Sequence, residues 1–114
     1  MINILVIHND SCPSLNPSLE RINQVVEELN VKANIETKLI HSDNDAETWK
    51  FTGSPTIIIN NEDIEPIDTD SYRLNNCRTY LKDGGGISPM PSKQTLKRAI
   101  YKFCLLYTSD AADE

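Results

Sequence analysis

Among the groups of this chain able to act as nucleophiles, Cys12 has the most informative position. It stands just past the apolar run Ile4-Leu5-Val6-Ile7, is followed at once by Pro13, and precedes a segment of helical periodicity. Backbone N–H groups at a helix N-terminus stabilise a thiolate relative to free cysteine, whose pKa is ~8.5. A cysteine at such a strand-to-helix junction is therefore expected to be the most reactive thiol of the chain, although the same junction also suits a buried, inert one. His8 and Asp10 are its sequence neighbours and oppose each other, an imidazolium favouring a thiolate and a carboxylate disfavouring it. They read best as the end of a strand and the support of a turn. A Cys-His hydrolase would need an orienting group and an oxyanion site, and neither is visible. Cys12, Cys77, His8 and His41 have no paired ligand spacing, so no zinc site is expected.

The elements that must position Cys12 follow from periodicity. Ile2 to His8 reads as a buried strand bounded by the turn-like Asn9-Asp10-Ser11. A helix from about Asn16 to Asn30 carries Leu19, Ile22, Val26 and Leu29 on one face. Ala33 to His41 is a second strand, and Ser42 with Asp45 three residues on marks the start of a short helix. Gly53-Ser54-Pro55-Thr56 leads into the strand Ile57-Ile58-Ile59, after which Asn60-Asn61 signals a turn. The return strand is expected at Cys77 to Leu81, in preference to Asp63 and Ile64, because the stretch between them is acidic and contains proline. A last helix begins near Ser92 with Leu96, Ala99, Ile100 and Phe103 inward. The order β-α-β-α-β-β-α, with a right-handed crossover at the start and an antiparallel pair at the end, describes an α/β, thioredoxin-like fold: a mixed four-stranded sheet flanked by helices. A split ferredoxin-like arrangement is the competing packing, and it has no need of Ser54-Pro55.

Cys12-Pro13 after the first strand, Gly53-Ser54-Pro55-Thr56 before the third, Asn-Cys-Arg-Thr-Tyr at 76–80 and the Gly-rich loop before Leu96-Lys97-Arg98-Ala99 together resemble a small family of bacterial thioredoxin-like proteins. Some of its members are predicted selenoproteins, and others have been labelled as related to alkylmercury lyases. The resemblance spans nearly all of residues 1–103 and implies a thiol oxidoreductase. It implies that Cys12, with Pro13 and Ser14, forms the catalytic turn. It further implies that Pro55 is cis and faces Cys12, so that Ser54, Pro55 and Thr56 form a substrate-binding edge on which the backbone of Ser54 pairs with a bound peptide. X–Pro is the one linkage with an appreciable cis population, ~5% in folded proteins, which agrees; a trans proline that merely starts a strand is the plainer alternative. Ser14 is either a hydrogen-bond donor to the thiolate or a polar first-turn residue.

One departure from the common redox motif matters. In Cys12-Pro13-Ser14-Leu15 the fourth position is Leu15, so no local thiol can resolve a mixed disulfide. Monothiol chemistry remains, with no resident cofactor and with glutathione or another external thiol as co-substrate. Cys77 is a candidate resolving thiol, but a strand from Thr56 to Asn60 would carry the chain ~16 Å from Cys12 before it turned back. Cys77 would then lie at the far end of the sheet, beyond the ~7 Å Cα limit for a disulfide, unless residues 61–76 make a long excursion.

Composition sets the surroundings. The chain has 114 residues, 39% hydrophobic and 25% charged, which suits one domain with a modest core. Net charge −6 disfavours nucleic-acid partners, which need a basic face for phosphates. Lys93, Lys97, Arg98 and Lys102 do gather, but at the spacing of a solvated helix face. No apolar stretch approaches the ~18 residues that span a bilayer, and Met1 runs straight into the first strand, so a cytoplasmic location is expected. Residues 104–114 resemble a translated sequencing adapter and are read as a non-native tail. The single domain is then 1–103, and without the three acids of the tail its net charge is −3. Three functions fit: a monothiol thiol–disulfide oxidoreductase acting on a protein or small-molecule disulfide, a soft-metal (mercury or copper) thiolate-binding or organomercurial-handling protein, and a non-catalytic thioredoxin-like binding module.

Overall fold

β1 (Ile2–His8) is the centre of the molecule because its apolar run is covered on both sides. The structure is a computed structural model that describes residues 2–112 apart from Asp68, Asp70 and Asp83, with side chains described through Phe103. Alternation sends Ile2, Ile4 and Val6 to one face of the sheet and Ile7, with Leu5 beside it, to the other. β2 (Ala33–Leu39) runs parallel to β1 and β3 (Thr56–Ile59) antiparallel to it, so the sheet is mixed, as expected. The connection from β1 to β2 is α1 (Leu15–Leu29), closed by Asn30 in the left-handed region at φ 53. Its buried residues are Ser18, Ile22 and Val25, with Leu15, Leu19, Val26 and Leu29 packed at their margin. The inner face is therefore centred slightly away from the expected Leu19-Ile22-Val26-Leu29 stripe.

α2 (Asp43–Thr48) begins as its sequence predicts. The Ser42 hydroxyl accepts the Asp45 N–H at 3.1 Å, and the Asp45 carboxylate accepts the His41 N–H at 3.0 Å. The helix covers the second face with Ala46, and Phe51 joins Ile7 and Ile40 beneath it. α3 (Lys93–Ala112) is capped by the Ser92 hydroxyl, which accepts the Thr95 N–H at 3.1 Å. It packs beside α1, placing Leu96 and Ile100 in the first cluster with Ile22 and Val25.

The return from β3 differs from expectation. Asn60 and Asn61 take left-handed conformations, φ 49 and 71, and close a two-residue hairpin into β4 (Glu62–Asp63), giving the order β2-β1-β3-β4. Cys77 to Leu81 is thus not the fourth strand. β5 (Tyr80–Leu81) pairs instead with β6 (Ile87–Ser88) in a separate ribbon, and Cys77 makes one isolated parallel bridge with Ser54. Two features made the shorter return available. A left-handed Asn pair closes a hairpin locally, and a two-residue edge strand tolerates acidic residues when one of them has a buried partner.

Candidate active site

Three segments meet at the end of the sheet where β1 gives way to the Cys12 loop. The first is that loop. Asn9, 6% exposed, donates its side-chain amide to Leu74 O at 2.9 Å, and its Oδ1 accepts the Ser11 N–H at 3.3 Å. The second bond is an Asx turn, which bends the chain toward Cys12. Cys12 is half-buried, Pro13 is exposed, and Ser14 is the N-cap of α1. Ser14 is buried but makes no side-chain capping bond; its carbonyl accepts the Ser18 N–H at 3.0 Å.

The second segment is Thr52 to Thr56, and its Ser54–Pro55 peptide is cis. The β1–β3 register ends by pairing Ile7 with Thr56, and two residues beyond that pair on each strand lie Asn9 and Ser54. The Asn9 N–H donates to the Ser54 hydroxyl at 3.3 Å. The loop that carries Cys12 is thereby anchored to the residue before the cis proline. Pro55 is itself buried, and its carbonyl accepts the Tyr80 hydroxyl at 2.6 Å. Thr56 is fully buried and donates its hydroxyl to Gly53 O at 2.5 Å, so its side chain closes the turn and offers nothing to a substrate.

The third segment is Leu74 to Tyr80, and it overturns two expectations. Ser54 N–H donates to Asn76 O at 3.0 Å, and Arg78 N–H donates to Ser54 O at 3.2 Å. Both backbone groups of Ser54 are satisfied within the chain, so they are not free for a bound peptide. Cys77, the residue between those two partners, lies at the Cys12 end of the sheet and not at the far end. The chain leaves the β4 edge after Asp63 and is back beside the start of β3 at Asn76. Gly53 makes the close approach feasible: at φ 144, a Cβ there would stand 2.7 Å from both the Cys77 carbonyl carbon and the Arg78 nitrogen. Cys77 is exposed, and both it and Cys12 are free thiols.

Arg78 is the residue that the sequence reading passed over. Its side chain is fully buried and its guanidinium grips Asp63 in a two-pronged ion pair at 2.8 and 2.9 Å. It also donates to Thr52 Oγ1 at 2.7 Å and to the Glu65 carbonyl, and it stacks 4.8 Å from the Tyr80 ring centre. Burial works against the cation. The hydrogen bonds to Asp63 and the negative charges of Asp63 and Glu65 outweigh it and hold the guanidinium above its ordinary pKa. Burial pushes the Tyr80 phenol upward despite the opposing pull of Arg78, so Tyr80 stays a hydrogen-bond donor to Pro55. Across Cys77-Arg78-Thr79-Tyr80 the structure alternates exposed, buried, exposed, buried, which sets Arg78 on the same face as Tyr80; the aromatic Tyr80 two residues on was the one signal in the sequence.

The remaining candidates stay apart. The His8 ring meets its own neighbour, Nδ1 lying 3.0 Å from Asn9 O, while Asp10 and His41 are exposed. No cluster of three or more His, Cys, Asp or Glu side chains that could hold a metal occurs among the described residues. No helix among them is long and apolar enough to cross a membrane. Cys104 lies outside the residues whose side chains are described. The arrangement thus presents a half-buried thiol on a pinned loop, a cis proline just after the serine that holds that loop, and an exposed second thiol on the adjoining segment. No protein-family model, no curated protein and no solved structure matches this chain.

Proposed function

We propose that this chain is a thioredoxin-like thiol–disulfide oxidoreductase of the cytoplasm, with Cys12 as its nucleophile. The observation that carries the reading is the hydrogen bond at 3.3 Å by which the Asn9 N–H, three residues before Cys12, is tied to the hydroxyl of Ser54, the residue preceding Pro55. The sheet order, with β1 parallel to β2 and antiparallel to β3 and helices on both faces, supports the same fold. In the reaction the Cys12 thiolate attacks one sulfur of a disulfide; the Cys12–sulfur bond forms, the substrate S–S bond breaks, and the other sulfur leaves as a thiolate. A second thiol, glutathione included, then attacks the mixed disulfide and regenerates Cys12. The other readings have less behind them. A peptide-binding module acting at Ser54 would need backbone groups that Asn76 and Arg78 already occupy, and a soft-metal site would draw on the same two thiols, Cys12 and Cys77.

The test is a coupled assay with glutathione and a low-mass mixed disulfide, comparing the full chain with Cys12→Ser and Cys77→Ser. The expected result is turnover above that of glutathione alone, with Cys12→Ser falling to background. Equal activity of Cys12→Ser and the parent chain would overturn the reading.

A further inference from the structure

We infer that Cys77 is the second thiol of the site, forming a disulfide with Cys12 across the Ser54 edge, so that the protein works as a two-cysteine enzyme despite Leu15. The inference rests on the nucleophilic role of Cys12 and adds to it the identity of the group that resolves the mixed disulfide. Its structural ground is the run of neighbours at one end of the sheet. Asn9 is bonded to Ser54, Ser54 is bridged to Cys77, and Cys12 follows Asn9 by three residues. Two neighbour spacings of ~4.8 Å separate Cys77 from Asn9. The three residues from Asn9 to Cys12 reach at most ~10 Å, so this tether permits the two cysteines to come within the ~7 Å Cα window of a disulfide.

The segment that carries Cys77 is held from both sides. Asn76 and Arg78 bond Ser54 on either side of the thiol, and the Arg78 guanidinium anchors the strand to Asp63 and Thr52. Cys77 is therefore presented at a fixed place while its side chain stays exposed, as a thiol that must meet an incoming mixed disulfide requires. The electron count closes without a further reagent. Cys12 thiolate attacks R–S–S–R′, giving Cys12–S–S–R and R′S⁻. Cys77 thiolate then attacks the Cys12 sulfur, giving Cys12–S–S–Cys77 and RS⁻. One disulfide is reduced to two thiols, and the two protein thiols are oxidised to one disulfide.

The experiment uses the full chain carrying Cys104→Ser, so that only Cys12 and Cys77 remain. It is treated with an excess of an aromatic disulfide that releases a coloured thiol, and followed by absorbance and intact mass. The expected result is rapid release of two equivalents per chain and a product lacking any adduct, with Cys12 linked to Cys77 in its peptide map. With Cys77→Ser added, release stops at one equivalent and a Cys12 adduct persists. With Cys12→Ser instead, Cys77 reacts at least tenfold more slowly. Rapid formation of a stable double adduct, or of a Cys12 adduct that Cys77 does not clear, overturns the inference and leaves Cys12 as a monothiol nucleophile. Equal rates at Cys12 and Cys77, with no internal disulfide, overturn the reading of Cys12 as well.

Discussion

Arg78 brings a full charge into the interior, where it is stabilised only while its partners are in place. Asp63 supplies both carboxylate oxygens, and the pair is well shielded from water, the Arg78 side chain completely and the Asp63 side chain at 18% exposure. Removing one partner of such a pair costs about 3–5 kcal/mol because the other charge is left buried and uncompensated. Asp63→Asn is therefore expected to lower folding stability by about that amount in urea unfolding, and Asp63→Leu combined with Arg78→Met should lie closer to the parent chain than either single change. A cost below about 1 kcal/mol for Asp63→Asn would mean that the guanidinium is solvated rather than buried. The reading of this residue from sequence alone was incomplete for a plain reason. An arginine in a polar-looking Asn-Cys-Arg-Thr-Tyr stretch resembles surface, and its partner sits 15 residues away on another element.

At the scale of elements, local signals were the legible ones. Ser42 and Asp45 start α2 through bonds spanning three and four residues, and Asn60-Asn61 turns the chain by its own backbone preference. Which segment would pair with β3 after that turn was a long-range matter, and the acidic character of Glu62-Asp63 pointed away from the strand it forms. The α1–α3 contact offers a pH test. Glu28 bonds Lys93 at 3.0 Å and Lys97 at 3.4 Å, and those hydrogen bonds hold its carboxyl below the ordinary value of 4.5. A depressed carboxylate contributes stability above the unfolded-state pKa, and the contribution fades as pH falls through the folded value. Glu28→Gln is expected to lower the urea midpoint at pH 7 in low salt. The difference should shrink as pH falls through the lowered pKa of Glu28, and vanish in molar salt. A difference that persists under acid would assign the effect to packing.

At the scale of the whole molecule, one sheet serves two apolar clusters. Ile4, Val6, Ile57 and Ile59 face α1 and α3, while Ile7 faces α2 and Phe51. Because β1 contributes to both, neither cluster can dissolve alone without exposing the strand that the other depends on. Ile100→Ala and Phe51→Ala should each destabilise the protein by about 2–5 kcal/mol. Each should keep a single transition, with near- and far-ultraviolet circular dichroism changing together. Separate transitions for the two probes would show that the faces unfold independently.

The sequence by itself determined the helices, the buried β1, the capped start of α2, the Asn-Asn turn and the placement of Cys12 between strand and helix. These are set by periodicity and by bonds that span a few residues, so they can be read one segment at a time. Only the tertiary structure decided where Cys77 lies and what Ser54 is bonded to. Both depend on the return of residues 76–78 to Ser54, which is fixed by a buried Arg78–Asp63 pair and by the absence of a Cβ at Gly53. Partners of a buried charge and a close backbone contact are properties of two distant segments at once, and no single stretch of the chain encodes them.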